Sequence, residues 1–512
     1  MASYRRALPA RPDLEQQRKL AKELLDDYRA GEREAVARIR SELPDKQTIA
    51  LADAQFVLAR EYGFANWAAL RQQIASVSDE RRPLEERFKE AVRTHDVAAL
   101  RRLIPHRAEL ESIVNAPIFD FDSPALVSVA GSGDVDLIDA LLQLGADPNR
   151  RSDWWAGGFH PLHSAPPGPA AERLLTAGAV ADACAAAQID RPDLLRRLLA
   201  EDPARVHERG GDGQTPLHFA RSREVVDILL EAGAEIDARD VDHRATPAQW
   251  MIGGDNGNSR RSLAKYLVDR GATAEIFLAA ALGLTSRVVR MLERDPTLLS
   301  LRTGQGEYGE KLPSSYHIYT WTIGQNITPM QTAAHFGQRE TLEAMRAFAS
   351  PAQRLLLACH NGDREAAQRI LREQPDIVQR LTGDDRRALT DEAWIGNEKA
   401  VDLMMELGFD PGVRSVGGAT GGTALHCAAW KGSAASVAAI LRYPTGRALL
   451  ETRDTSHNGT PLGWCCHGSL NCGSPGANHA EVARLLVAAG ASIPSPVADI
   501  QASESVRKVL RG

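Results

Sequence analysis

The 512-residue sequence has no apolar run approaching the roughly eighteen residues that a membrane-spanning helix needs, so no transmembrane segment is expected. Arg5 and Arg6 near the start are not followed by an apolar stretch, and a secretory signal is not expected either. There is no surplus of positive charge: 61 Lys and Arg against 67 Asp and Glu leave a formal net charge of −6. That removes the global basic signature of a nucleic-acid binder. Aromatic residues make up only 5%, which suits cores built from alanine and leucine. Six cysteines (Cys184, Cys359, Cys427, Cys465, Cys466 and Cys472) are scattered without a C-x-x-C pair, and a reduced, cytoplasmic setting is the simplest expectation. A phosphate-cradling loop, a nucleophile elbow and an H-E-x-x-H helix are all missing. Gly304, Gly306 and Gly309 precede no helix start and fail as a dinucleotide motif.

What the chain does contain is a recurring helix start. Thr423-Ala424-Leu425-His426-Cys427-Ala428-Ala429-Trp430-Lys431-Gly432 reads T-x-L-H-x-A-A-x-x-G. Thr215-Pro216-Leu217-His218-Phe219-Ala220 is a close copy, and Thr460-Pro461-Leu462, Thr246-Pro247, His160-Pro161-Leu162-His163 and Thr328-Pro329 are looser ones. Threonine can cap a helix and proline suits its first turn, while the leucine and alanines offer a narrow face for close stacking. Glycine at the tenth position accepts the positive φ that ends the helix. A second anchor marks the ends of second helices at Gly145, Gly178, Gly233, Gly271, Gly408 and Gly490, and the first two are 33 residues apart. A variant unit lacks the T-P-L-H start but keeps a proline stop, as in Leu198-Leu199-Ala200-Glu201-Asp202-Pro203, Met291 to Pro296 and Ile370 to Pro375.

On these motifs the sequence resembles the ankyrin repeat family, in its bacterial type with a helical N-terminal segment. The resemblance implies an all-α ankyrin repeat solenoid of about twelve helix-turn-helix units, which cannot bury their apolar faces singly. They begin near residues 84, 123, 160, 181, 213, 244, 274, 328, 351, 386, 421 and 458. Residues 1–83 are expected to form a helical cap and linker, 84–493 the repeat array, and 494–512 a C-terminal capping helix. The segment Leu51 to Leu70 resembles one that precedes ankyrin repeats in bacterial proteins. In this family His160, His163, His218 and His426 would bond to loop backbone between repeats.

Four insertions break the period: Arg150 to Phe159, Gly254 to Ser259, Thr303 to Ile327 and Gly468 to Asn478. Alternation in Tyr316-His317-Ile318-Tyr319-Thr320-Trp321-Thr322-Ile323 predicts a lengthened finger hairpin. The resemblance puts the eighth and ninth positions counted from the motif's threonine into the groove where partners bind. Those positions are His335 and Phe336, Trp394 and Ile395, Trp430 and Lys431, and His467. Candidate binding residues are therefore Trp154, Trp155, Tyr316, Tyr319, Trp321, His335, Phe336, Trp394, Trp430 and Lys431, because a stripe of large amphipathic side chains marks a contact surface. Asp153, Asp255, Asn256 and His317 are further candidates for a pocket roofed by the insertions. Trp250 and Trp464, at the fifth position, are expected to pack inward.

Cys465, Cys466, His467, Cys472 and His479 are close in sequence, but their spacing matches no zinc pattern, and no metal or cofactor is expected. Asp391 and Glu392 replace the usual histidine; neighbours on a helix diverge by about 100°, so they do not make an acid/base pair by themselves. A loop hydrogen bond from Asp391 is the expectation. The function that follows is a scaffold recognising a protein partner, without nucleic acid or membrane and without chemistry. The alternative is a small-molecule or carbohydrate-binding protein, or an enzyme, with a pocket built from insertions 150–159 and 303–327.

Overall fold

The computed structural model describes residues 4–9, 14–79, 83–253, 260–305, 317–416, 421–494 and 500–511. Among the described residues the chain is helical and forms no β-strand. It divides into two compact units, one of residues 1–154 with 159–180 and the other of 155–158 with 181–512.

The first unit opens with four helices, Leu14–Ala30, Arg33–Glu42, Leu51–Glu61 and Trp67–Asp79. Leu24, Leu25, Ile39 and Val57 make one small core here, and Ala59, Leu70 and Ile74 a second. Asn66 caps the fourth helix, its Oδ1 accepting from the Ala69 N–H at 2.9 Å. The buried Glu61 carboxylate accepts from Arg38 at 2.8 and 2.9 Å and also pairs with Arg6 at 2.6 Å, so its charge is compensated. Three helix pairs follow: Leu84–Arg93 with Val97–Leu103, Ala125–Ala130 with Val135–Leu144, and Pro161–Ser164 with Pro169–Thr176. At Gly145 φ is 100°, and the Ala146 N–H reaches back to the Leu141 carbonyl at 3.0 Å. A side chain would be strained in that left-handed helix stop.

The second unit contains nine further pairs among the described residues. Their first helices are Ala183–Gln188, Pro216–Phe219, Pro247–Trp250, Ile276–Ala281, Pro329–His335, Pro351–His360, Ala388–Ile395, Ala424–Trp430 and Pro461–Asn471. The short first helices are the most buried part: every residue of Ala183–Gln188 and of Ile276–Ala281 is inaccessible or nearly so. Two aliphatic clusters run through the unit, one reaching from Ala183 to Leu357 and the other from Leu355 to Leu510. Each fully buried Leu, Ile or Val adds about 1.5–3 kcal/mol, so stability is spread along the stack. The helix Glu504–Arg511 closes the chain, with Val506 and Leu510 buried.

The motif residues do what their chemistry allows. The Thr215 N–H donates to His218 Nδ1 at 3.1 Å, so the ring's proton sits on Nε2, which donates to the Ala245 carbonyl of the next repeat at 3.1 Å. His426 repeats this with Thr423 at 3.2 Å and Gly459 at 3.1 Å. Burial pushes His218 down to about 3 and also lowers His426, which keeps both rings neutral. Where the motif has glutamine instead, a capping box forms: Gln331 Oε1 accepts from the Thr328 N–H at 2.9 Å while Thr328 Oγ1 accepts from the Gln331 N–H at 3.3 Å.

The third insertion departs from the expected hairpin. Residues Ile318–Thr322 form a helix, with Ile318 and Tyr319 both buried. Thr320 Oγ1 donates to the His317 carbonyl at 2.9 Å and Thr322 Oγ1 to the Ile318 carbonyl at 3.0 Å, which suits helical backbone. The Tyr319 ring lies 5.7 Å from that of Phe277 and its hydroxyl donates to Glu275. Adjacent residues that both face a core cannot alternate as a strand requires, so tertiary burial overrode local β-propensity.

Candidate functional site

The sequence candidates separate into those that meet and those that do not. Tyr319 is 0% exposed and belongs to the core, so its place among the binding residues is corrected. Asp153 is exposed and accepts from Arg150 at 2.8 Å through both carboxylate oxygens. Trp154 packs edge-on against Phe121 with ring centroids 5.2 Å apart, and Trp155 is 61% exposed. Trp321 is 74% exposed. Phe336 is half-buried beneath the Arg261 guanidinium, 4.9 Å from its ring centre, and the exposed His335 stands edge-on to it at 4.8 Å. His317 stacks on His243 at 5.2 Å. Tyr316, Asp255 and Asn256 lie outside the described residues.

Trp394 and Trp430 do come together. They sit at matching positions of consecutive repeats, on helices Ala388–Ile395 and Ala424–Trp430, and their rings lie 6.5 Å apart at 17°. The Lys431 ammonium stands 5.6 Å over the Trp394 ring, a cation–π geometry. The next repeat adds Trp464 and His467, whose rings are 6.5 and 5.3 Å from that of Trp430. With His457, Gly459 and Gly463 these residues line a cleft of about 460 Å³.

Trp464 both floors the cleft and packs inward, as its fifth position suggests: it is 9% exposed. Its indole N–H donates to Asp454 Oδ2 at 2.9 Å. The same carboxylate accepts from the backbone N–H groups of Ser456, His457 and Gly459 at 2.8, 2.6 and 2.7 Å. Burial acts to raise Asp454, but these donors outweigh it and hold the carboxyl well below its ordinary range. Two glycines make room for the indole: a Cβ on Gly422 would lie 2.9 Å from Trp464 Cη2, and one on Gly459 would lie 3.1 Å from its Cδ1. The floor of the cleft is therefore rigid.

Trp464 and His457 were not singled out as binding residues, although a signal was available. Asp240…His243…Thr246-Pro247…Trp250 and Asp454…His457…Thr460-Pro461…Trp464 share the spacing D-x-x-H-x-x-T-P-x-x-W. The structure repeats it: Trp250 Nε1 donates to Asp240 Oδ2 at 2.6 Å, as Trp464 does to Asp454. In both copies the finger's aspartate gathers the turn and fixes a tryptophan beside it.

A second polar locus surrounds Asp391 and Glu392. Glu392 accepts from Gln331 at 3.1 Å, His360 at 2.8 Å and Asn397 at 2.8 Å, so both its oxygens are engaged. Asp391 accepts from Asn326 Nδ2, the loop hydrogen bond expected of it. Burial foremost raises Asp391 to about 7, against the pull of Arg387 and Arg302. Burial opposes charge on His360, yet its bond to Glu392 raises it. Arg302 spans to Asp385 at 2.6 Å. These bonds tie the third insertion to the repeats behind it.

The six cysteines are free, and five are buried. Cys465 donates to the His479 carbonyl at 3.3 Å, while burial raises Cys465 and lifts Cys466 to about 11, so both are thiols at neutral pH.

Comparison with known proteins agrees with this architecture. The ankyrin repeat family model matches residues 212–241, the helix pair that begins with the His218 motif and the finger leading out of it. The chain therefore carries an ankyrin repeat at residues 212–241, within an array of helix pairs. The serine/threonine-protein kinase VIK of Arabidopsis thaliana is 49% identical over 49 residues, which make up 9% of this chain and 11% of the kinase. The chain thus spans only about a tenth of that kinase's length. No helix among the described residues is long and apolar enough to cross a membrane.

Proposed function

We propose that this ankyrin repeat protein is a scaffold that holds an extended segment of a partner protein across repeats 388–406, 424–441 and 461–488. Ankyrin repeats generally mediate protein–protein interaction. The observation that carries the assignment is the cleft in which three tryptophans from three successive repeats share one surface with His457 and His467. Aromatic rings on a pre-formed floor give large contact area at low entropic cost, the character of interface hot spots. Asp454 is saturated by four donors, so apolar and aromatic anchors of the partner would meet rings and the Lys431 ammonium. In the same reading, residues 1–83 cap the first repeats and 494–512 the last. The pocket alternative built on the insertions loses part of its basis with Tyr319 in the core and Asp153 paired to Arg150.

The test is selection of displayed random peptides on the full-length protein, followed by affinity measurement with the selected sequences. Trp394→Ala and Trp430→Ala should each weaken binding at least tenfold, with helicity by circular dichroism unchanged. Selected peptides that bind both variants as tightly as the parent would remove the cleft as the site.

A further inference from the structure

A different feature of the second unit lies at the tips of two consecutive fingers. Asp212 is the turn residue of the first, at φ 57°, and Asp242 and His243 are the tip of the second. The two turns are already joined through backbone: the N–H groups of Val241 and Asp242 donate to the Asp212 carbonyl at 2.9 and 3.3 Å. This brings one ligand atom each from Asp212, Asp242 and His243 to within 4.8 Å of one another.

The imidazole is the telling member. His243 has a side chain only 12% exposed, and its Nδ1 is buried without a hydrogen-bond partner. That nitrogen lies 3.6 Å from Asp242 Oδ2 and 3.9 Å from Asp240 Oδ1, too far for a hydrogen bond to either. Two metal–ligand bonds of about 2.0–2.1 Å in a tetrahedral arrangement separate their donor atoms by roughly 3.3–3.4 Å, so a small side-chain adjustment would bring Nδ1 and Asp242 Oδ2 into range. The ring is held in place by Trp250 edge-on at 4.9 Å and by His317 stacked at 5.2 Å, and His317 Nδ1 is likewise buried and unpartnered. Ring packing thus helps to orient both imidazoles, whose Nδ1 atoms have no hydrogen-bond partner.

We propose that Asp212, Asp242 and His243 bind a divalent transition-metal ion of the zinc class. Two carboxylates and one imidazole suit such an ion, with solvent completing its coordination. The bound ion would staple the tips of two fingers whose backbones already touch. The chain also contains an internal comparison. The sister finger has His457 at the place of His243, but Ser456 stands where Asp242 would be, so it lacks the carboxylate partner.

The experiment is calorimetric titration of chelator-stripped full-length protein with zinc chloride, paired with the visible absorption of its cobalt(II) form. One equivalent is expected in the parent and in His457→Gln, with a rise in melting temperature. Binding should fall at least tenfold in His243→Gln and in Asp242→Asn. Asp242 is partly exposed, so the second variant reads the site even where the first loses its fold. Absence of zinc binding in the parent would overturn the proposal. So would binding unchanged in both site variants, or lost equally in His457→Gln.

Discussion

Replacing Asp391 by Asn tests the electrostatics of the locus that ties the third insertion to the array. Asp391 is raised from 3.8 to about 7, with burial the largest cause, the neighbouring Glu392 adding to it, and Arg387, Arg302 and the Asn326 bond opposing it. A carboxyl with a raised native value contributes its stability fully below the unfolded value and loses it as pH rises through the native one. A shift of roughly 3 units corresponds to ~4 kcal/mol at about 1.4 kcal/mol per unit. Asparagine keeps the shape and accepts the same Asn326 hydrogen bond but carries no charge at any pH. The variant should therefore exceed the parent in stability by ~1 kcal/mol near pH 4.5 and by up to ~4 kcal/mol at pH 8, with the gap opening between about pH 4 and 7 and flat above. Urea unfolding of both proteins across this range measures the difference, in which the titrating groups not coupled to Asp391 cancel. A gap of the same size at both pH values, or a variant less stable at pH 8, would refute the reasoning. Asp391 would then be an ionised partner of Arg387 and Arg302.

Other substitutions read the remaining parts of the structure. Glu392→Ala strips the shared acceptor from Gln331, His360 and Asn397 and should cost ~3 kcal/mol or more in urea unfolding, because buried donors are left unpaired. Trp464→Phe removes one of four donors to Asp454 while keeping most of the packing; a loss of ~2 kcal/mol is expected, with the near-ultraviolet dichroism of the Trp cluster altered. Gly422→Ala places a methyl 2.9 Å from Trp464 Cη2 and should destabilise by ~1–3 kcal/mol through overpacking, whereas Gly473→Ala, where nothing lies within 4 Å of the added methyl, should be nearly neutral.

The architecture was legible because its causes are local and repeated. Thr215, Pro216, His218 and their counterparts around Thr423 and Thr460 carry helix caps, first-turn geometry and inter-repeat hydrogen bonds in a few adjacent residues. One ten-residue pattern, recurring along the chain, therefore reports the fold. Trp394, Trp430 and Lys431 were legible as a group for the same reason: equal positions in successive repeats are neighbours in space. The insertions have no such rule. Ile318 to Thr322 alternates like a strand but is a helix, because Phe277 and Glu275 from another repeat bury Tyr319.

The sequence by itself thus determined the repeat, its period and the tryptophans shared between repeats, since each depends on interactions between residues a fixed distance apart. Only the tertiary structure decided which aromatics are surface and which are core, and that Trp464 and His457 complete the cleft. It alone brought Asp212, Asp242 and His243 to within 4.8 Å of one another. Those outcomes depend on how finger tips and insertions from different repeats pack; a spacing within one repeat, such as that shared by Trp250 and Trp464, marks the residues but not what they meet.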